Sequence, residues 1–353
     1  MTTENPDKKE EREILRKIGA APGDDALRLE YARWLKAHGD VPRGEFIELE
    51  CAIAAARSEQ SNFPDMESWR AAHPDQKRMV DKASELRKQH REAWEAPLAE
   101  LGVSHVWFRD RGFPQSFRIG STDLISHAEE LHLLAPLLSG LQLIISSPED
   151  IAILAQSPAV AAILDNLDFL QINSRYLVHV DLSPLITSPH LAGLRELDCW
   201  MSMASDGSIK DGRIAAEAIA SSEYLRQLNE LSLHAPIDAD GVRALAASSN
   251  LDGVERLTLD CWYMDDAAAM ILAQSTHLGS LANLGIGSTH IYNQGLLAIA
   301  KGLPSLRSMS TPGDADHETQ KAASAIIHER HRTWLARRNA EAHTHDTARP
   351  GRG

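Results

Sequence analysis

Apolar residues recur through the second half of the chain in the pattern Leu-x-x-Leu-x-Leu. Six copies occur, at Leu138/Leu141/Leu143, Leu167/Leu170/Ile172, Leu194/Leu197/Cys199, Leu228/Leu231/Leu233, Val254/Leu257/Leu259 and Leu281/Leu284/Ile286. Each copy ends in an alternation of apolar and other residues, which is typical of a strand with one buried face. The pattern therefore predicts a series of short strands.

A second pattern, Leu/Ile-Ala-x-Ser-x-x-Leu, alternates with the first. Its copies begin at Leu154, Leu185, Ile219, Leu245 and Leu272, with a degraded copy at Ile299, which gives steps of 31, 34, 26, 27 and 27 residues. Apolar and small residues at helical spacing, such as Gly241, Val242 and Leu245, lead into it and predict a helix. The recurrent serine falls at the end of that helix, where hydrogen bonding to the backbone is a better interpretation than nucleophilic catalysis.

Strand, turn and helix repeating about every 27 residues resemble the leucine-rich-repeat unit, from about residue 130 to 313. One such unit cannot bury its own apolar face, so neighbouring units stack and their strands form a parallel sheet. The predicted fold class is α/β, a leucine-rich-repeat solenoid with a curved parallel sheet and outer helices, preceded by a small helical module.

The N-terminal module has a different pattern of two amphipathic helices broken at Gly39-Asp40-Val41-Pro42. Its residues include Asp24-Asp25-x-x-Arg28-Leu29-x-Tyr31-Ala32-x-Trp34-Leu35, Gly39-Asp40 and Arg43-Gly44-Glu45-Phe46-Ile47. This stretch resembles the small bacterial repeat-companion domain, which is usually found N-terminal to leucine-rich repeats. Arg33 departs from the family, which usually has Asp before the Trp. The resemblance implies an association with repeat arrays and no established reaction.

These patterns divide the chain into five predicted parts. They are a helical repeat-companion domain (1–57), a helical linker and N-terminal solenoid cap (58–130), the leucine-rich-repeat solenoid (131–313), a C-terminal capping helix (314–338) and a disordered tail (339–353). Within the linker, apolar spacing predicts a helix from Met79 to Trp94 that Pro97 stops. The alternating stretch from His105 to Ile119 predicts a pair of short strands.

Net charge and cysteine content limit the classes of function that we expect of this chain. Fifty acidic and 36 basic residues give a net charge of −14, which disfavours binding to nucleic acid or to an anionic membrane. Three cysteines without paired spacing predict neither a disulfide framework nor a zinc site. The polar first ten residues predict no secretory signal. We therefore expect a cytoplasmic protein with no metal and no cofactor.

Candidate binding residues lie on the strands, between the buried leucines. Such positions point away from the core, onto the concave surface of the predicted sheet. Four strands supply Gln171, Asn173, Glu196, Asp198, Trp200, Glu230, Ser232, His234, Arg256, Thr258 and Asp260. A tryptophan ringed by polar groups is typical of an interface anchor. The alternative is that Trp200 covers the polar insertion after its strand and that the acids only confer solubility.

Two hypotheses for function follow. The first is a non-enzymatic scaffold that binds another protein, through a basic or extended segment of that protein, on the concave sheet. The alternative is an enzyme or enzyme regulator whose active group lies in the N-terminal module, around Asp24, Asp25, Arg43 and Glu45. Ion pairing and helix capping explain those four residues more simply.

Overall fold

A computed structural model describes residues 6–60, 63, 65–202, 208–260, 264–287, 290–310 and 314–347. Its helices, in chain order, are α1 (Pro6–Ala20), α2 (Asp25–Ala37), α3 (Val41–Ser58), α4 (Met66–Ala72), α5 (Gln76–Ala99), α6 (Ser121–Leu134), α7 (Asp150–Gln156), α8 (Pro158–Leu164), α9 (Ser183–Ile186), α10 (Ser208–Ser221), α11 (Ala239–Ala246), α12 (Asp266–Ala273), α13 (Asn293–Gly302) and α14 (His317–Thr347). Its strands are β1 (His105–Asp110), β2 (Phe113–Gly120), β3 (Gly140–Ile144), β4 (Phe169–Asn173), β5 (Glu196–Trp200), β6 (Glu230–His234), β7 (Arg256–Asp260), β8 (Asn283–Gly287) and β9 (Ser308–Met309).

The chain forms two compact units. The first contains the residues up to Ile144 together with Gln156–Leu167, and the second contains Ile145–Ala155 and the residues from Asp168 onward. In the first unit, β1 pairs antiparallel with β2, as the alternation from His105 to Ile119 predicted, and β2 pairs parallel with β3. The predicted limit between cap and solenoid, at residue 130, falls inside α6.

The N-terminal module contains the two predicted helices, α2 and α3, and a third, α1, that the pattern did not reveal. One apolar cluster joins the three helices, and it consists of Ile14, Leu15, Ile18, Tyr31, Ala32, Leu35, Ile47, Cys51 and Phe113. Asp24 caps α2 by accepting from the Ala26 amide, and Asp40 caps α3 by accepting from the Arg43 amide. The sharp turn between the helices uses Gly39, whose φ is 97°.

Gly44 allows α2 and α3 to approach closely. A Cβ atom at this position would lie 2.5 Å from the Ala32 carbonyl oxygen and 2.7 Å from Lys36 Cγ. Close packing of α2 against α3 therefore explains Gly44 of the repeat-companion motif, rather than a catalytic role.

Helix α5 runs further than expected. It includes Pro97 and ends at Ala99, so the expectation that Pro97 stops it was wrong. Proline removes one backbone donor and crowds the preceding turn. Pro97 lies in the last turn of a long helix, and the hydrogen bonds of the preceding turns offset this cost. The helix therefore ends only after the proline.

In the second unit, strands β4 to β9 lie side by side in chain order and all pair in parallel. From β4 to β8 each strand is buried at its second and fourth residues and more accessible at the others. The buried residues are the predicted apolar ones, Leu170, Ile172, Leu197, Cys199, Leu231, Leu233, Leu257, Leu259, Leu284 and Ile286, none more than 4% exposed. The fold is therefore the predicted α/β leucine-rich-repeat arrangement of strands and helices, with an N-terminal helical module.

The recurrent serines form a hydrogen-bonded ladder between repeats. Ser248 Oγ donates to the carbonyl of Ala220 at 2.7 Å, and Ser275 Oγ donates to that of Ala246 at 2.6 Å. Each hydroxyl also accepts from an amide two residues further on, as Ser248 does from Asn250 at 3.2 Å. The carbonyls at a helix C-terminus lack intrahelical donors, so the serine of the next repeat satisfies them. The predicted backbone role of the serines is confirmed.

The C-terminal helix α14 is longer than predicted. It continues to Thr347, so the expectation of disorder from residue 339 was wrong for residues 339–347, and residues 348–353 lie outside the described part of the chain. From Lys321 to Thr347 the sequence has no glycine or proline and many helix-forming residues, although it is polar. Low hydrophobicity led to the wrong expectation, because helix propensity does not depend on it.

We predict that Ser248→Ala lowers the free energy of unfolding by about 1–3 kcal/mol, because it removes a hydrogen bond to the partly buried Ala220 carbonyl and leaves the buried Asn250 amide without its acceptor. The matched control is Ser249→Ala, at the neighbouring exposed serine, which should change stability by less than about 0.5 kcal/mol. Urea denaturation of both variants measures the difference. Equal stability of the two would show that the ladder contributes nothing.

Gly44→Ala should destabilise the N-terminal module by about 1–3 kcal/mol, because the added methyl group forces α2 and α3 apart. Gly23→Ala is the control, since no atom lies within 4 Å of a Cβ there. Thermal unfolding followed by circular dichroism compares the two. A Gly44→Ala protein as stable as the Gly23→Ala protein would contradict the close-packing explanation.

Candidate functional site

The predicted binding residues share one face of the second unit, which we call the exposed sheet face. Strand register arranges them in three rows: Glu196, Glu230 and Arg256; Gln171, Asp198, Ser232 and Thr258; and Asn173, Trp200, His234 and Asp260. Arg256 is exposed and the other ten are half-buried. The structure therefore brings all eleven side chains together, because each row crosses parallel strands at the same level.

An aromatic pair occupies the third row. The Trp200 indole stacks on the His234 imidazole, with 3.9 Å between the ring centroids and 17° between the planes. Trp200 Nε1 donates to Asp198 Oδ2 at 2.9 Å. The indole is therefore held by two neighbours on the sheet itself. The insertion that it was alternatively expected to cover includes residues 203–207, which lie outside the described residues.

His234 lies between two aspartates. Its Nε2 is 3.6 Å from Asp198 Oδ1, and its Nδ1 is 3.4 Å from Asp260 Oδ2. A neutral imidazole carries one N–H and donates to one of these carboxylates, whereas an imidazolium donates to both. Asp198 also accepts from Gln171 Nε2 at 2.7 Å. Asp198 therefore joins three side chains, Gln171, Trp200 and His234, from three strands.

The first row contains an ion pair and an acid without one. Arg256 and Glu230 approach to 2.5 Å, and the Glu230 carboxylate raises the pKa of the Arg256 guanidinium. Among the described residues, Glu196 has no hydrogen bond or ion pair through its side chain. Four carboxylates and one guanidinium leave the exposed sheet face with a net negative charge when His234 is neutral.

On strand β8 the second and third rows continue as Gly285 and Gly287. A Cβ atom at Gly287 would clash with the Asp260 carboxylate. Because Gly287 has no side chain, the Asp260 carboxylate can occupy the space beside it.

Two further residues belong beside this face and were missed by the sequence analysis. Tyr176, just after β4, is 78% exposed, and the Arg175 guanidinium lies 4.9 Å from its ring centroid. Arg175 is also 5.9 Å from the Trp200 ring. These residues follow the strand in a loop, so the alternation that revealed the other positions does not extend to them. An exposed tyrosine next to an arginine, close behind a strand, is the signal that could have found them.

The acids at the start of α2 have local structural roles. Asp24 accepts from the Ala26 amide at 2.8 Å. Asp25 pairs with Arg28 at 2.8 Å and with Arg111 at 2.7 Å. Capping and ion pairing account for both carboxylates.

Arg43 and Glu45 lie in different surroundings. The Arg43 guanidinium is 4.8 Å from the Trp94 ring centroid and 4.9 Å from that of Phe108. Desolvation by these neighbours lowers the pKa of Arg43 to about 10. Glu45 forms an ion pair with Lys82. No shared site that includes Asp24, Asp25, Arg43 and Glu45 emerges from these contacts.

The first unit contains a cleft of about 530 Å³ between α1 and α6. Its charged lining consists of Arg12, Arg16, Glu129, Glu130 and His132. The mixture of signs favours no particular ligand charge, and none of the predicted binding residues lines this cleft.

Three other candidates are a metal site, a membrane-spanning helix and a reactive cysteine. Within the described residues, no group of three or more His, Cys, Asp or Glu side chains is arranged to hold a metal ion. In the same part of the chain, no helix combines the length and the apolar character needed to cross a bilayer. Cys199 is fully buried, and burial raises the pKa of its thiol, so it is a core residue as predicted.

Comparison with known proteins finds similarity only among solved structures. No family model and no curated protein matches the sequence. An internalin (InlF) from Listeria monocytogenes matches with 15% identity and a TM-score of 0.33, over 56% of this chain and 49% of that one. The yeast Rad7–Elc1 complex matches with 14% identity and a TM-score of 0.27, over 54% and 59%. The complex of TLR13 with ssRNA13 matches with 14% identity and a TM-score of 0.29, over 54% and 34%.

Each match covers less than two thirds of the other chain's length. At these TM-scores the three structures give no information on what this chain binds. The case for a function therefore depends on its own side chains.

We predict that Asp198→Ala lowers the free energy of unfolding by about 1–2 kcal/mol, since Trp200 Nε1 and Gln171 lose their charged acceptor. Glu196→Ala removes a carboxylate from the same strand and face without removing a hydrogen bond, and should change stability by less than about 0.5 kcal/mol. Chemical denaturation measures both. Equal effects would show that Asp198 does not organise the face.

Proposed function

We propose that this protein is a non-enzymatic interaction module that binds another protein on its exposed sheet face. The observation that carries the proposal is the arrangement of eleven polar and aromatic side chains in three rows, joined through Asp198, Trp200 and His234. Parallel β-strands present such rows on a rigid backbone. A surface of this kind suits recognition of a partner more than chemistry on a small substrate, because the face is open rather than enclosed.

Trp200 is the proposed anchor. Its ring is fixed by the stack on His234 and by the hydrogen bond to Asp198, so little side-chain freedom is lost when a partner binds. Tryptophan contributes large energies in interface centres when a polar rim surrounds it. Arg175 and Tyr176 extend the proposed contact area beyond the strands.

The charge of the face indicates the chemistry of the partner. Glu196 is without an ion pair among the described residues, and the carboxylates outnumber the single guanidinium of Arg256. A basic segment of a partner protein complements this face. A bacterial setting, which the repeat-companion resemblance implies, belongs to the same proposal. A cytoplasmic location, which the cysteine content and the polar first residues favour, belongs to it as well.

Affinity capture followed by mass spectrometry tests the proposal. The double variant Asp198→Lys/Trp200→Ala should lose at least about tenfold of the captured partner, because one interface anchor and one charge pair are removed. The matched control, Glu223→Lys/Tyr292→Ala, makes the same kinds of change at residues that are exposed and lie outside the face. It should capture the partner as the wild type does.

Two further variants keep the result interpretable. Glu196→Lys reverses a charge on the face without breaking a hydrogen bond, so it should weaken capture even if the double variant is poorly folded. Glu45→Ala should leave capture unchanged. Capture that survives Asp198→Lys/Trp200→Ala and Glu196→Lys but is lost with Glu45→Ala would move the function to the N-terminal module.

A further inference from the structure

A cluster of arginines surrounds one tryptophan near the end of the second unit. We call it the basic aromatic patch, and it consists of Arg307, Trp334, Arg337 and Arg338. A cavity of about 350 Å³ lies there, with Arg307, Trp334 and Arg337 among its lining residues. Arg307 comes just before strand β9, and the other three belong to helix α14. The patch is separate from the exposed sheet face in its residues and opposite to it in charge.

Two guanidinium groups lie over the indole ring. The Arg307 guanidinium carbon is 4.3 Å from the Trp334 ring centroid, and that of Arg338 is 5.2 Å away. A guanidinium held over an aromatic ring by cation–π attraction keeps N–H groups that can donate hydrogen bonds to a ligand. The tryptophan therefore fixes two forked donors in position before any ligand arrives.

The charge of the patch is not neutralised by its described neighbours. No carboxylate within the described side chains lies within 4.0 Å of the guanidinium groups of Arg307, Arg337 or Arg338. Glu329, which lines the same cavity, pairs with Arg332 at 2.5 Å. Three positive charges thus stand together in a chain whose net charge is −14.

Arg330, another lining residue, has a different role. Its guanidinium donates to the carbonyls of Ala300 at 2.6 Å and Leu303 at 2.8 Å, at the end of helix α13. These bonds join α14 to the preceding repeat, because they satisfy carbonyls that have no intrahelical donor. Arg330 is therefore structural and does not contribute a free donor to the patch.

We infer that the basic aromatic patch binds an extended acidic peptide segment of a partner protein. Carboxylates of aspartate or glutamate match the planar fork of an arginine and accept two parallel N–H bonds. Arg307 and Arg337 supply the donors on the cavity lining, and Arg338 adds charge beside Trp334. A peptide with spaced carboxylates would engage more than one of these groups at once.

A single-stranded nucleic acid fits the patch less well. Its bases bind by stacking on an exposed aromatic ring, but two guanidinium groups already lie over Trp334. Binding of the phosphate backbone of a nucleic acid also depends on a long-range positive field. This protein, with a net charge of −14, lacks such a field. A short acidic peptide needs only the local donors.

Fluorescence anisotropy on the full chain tests the inference. The probe is a fluorescein-labelled peptide of alternating glutamate and serine, compared with the same peptide carrying glutamine in place of glutamate. The wild type should bind the acidic peptide at least about tenfold more tightly than the amide peptide, because a charge-assisted hydrogen bond is lost in the latter. Binding of the acidic peptide should weaken as salt is added.

Variants locate the site. Arg307→Ala and Arg337→Ala should each weaken binding of the acidic peptide by about tenfold. The matched control is Arg243→Ala, an equal change of charge at an exposed residue of α11 that pairs with Asp240 and lies outside the patch and its cavity. It should alter affinity by less than about twofold. Circular dichroism melts of the three variants confirm that each is folded.

Several outcomes would overturn the inference. Absence of saturable binding to the acidic peptide is one, and an equal loss in Arg243→Ala is another, since it would mean attraction to overall charge. Tighter binding of labelled single-stranded oligouridine than of the peptide would assign the patch to nucleic acid. Self-association of the unliganded chain that Arg307→Ala/Arg337→Ala abolishes, seen by sedimentation, would assign it to a second copy.

Discussion

The hydrogen bond from a serine of one repeat to a helix-end carbonyl of the preceding repeat is the interaction on which the second unit depends. Helix C-termini leave carbonyls without donors, and a buried carbonyl without a donor is costly. Ser248 and Ser275 meet this requirement and at the same time start the next turn. Asn250 adds two more bonds, to the carbonyls of Ile219 and Ser222, both at 2.8 Å. Each repeat is thereby held at a fixed level relative to the one before it.

The fixed position of each repeat relative to its neighbour sets the register of the strands in the sheet. Because neighbouring strands start at equivalent positions, apolar side chains meet apolar side chains inside, and polar ones meet polar ones outside. The row of Asn173, Trp200, His234 and Asp260 exists only because four strands keep this register. A slip of one residue on β5 would turn Trp200 and Asp198 into the core and break the network around His234.

The second unit carries two surfaces of opposite charge that differ in construction. On the exposed sheet face, the carboxylates of Asp198 and Asp260 are held by neighbours on adjacent strands. In the basic aromatic patch, the Trp334 ring orders Arg307 and Arg338 instead. Both arrangements fix charged groups in place before a ligand is present, and this lowers the entropic cost of binding.

Much of the fold of this protein could be predicted from its sequence, because every repeat has the same packing requirement and therefore shows the same pattern of residues. Periodic leucines identified the strands, the serines identified the turns, and alternation identified which side chains face outward. Local pattern was less informative where one helix has no repeat to compare with: α1 was missed, and α14 runs to Thr347 instead of ending at residue 338. Only the tertiary structure decided which outward side chains contact each other. The stack of Trp200 on His234, the aspartates on either side of that histidine and the arginines over Trp334 join residues that are remote in sequence or that share no pattern, so their distances depend on how the chain packs.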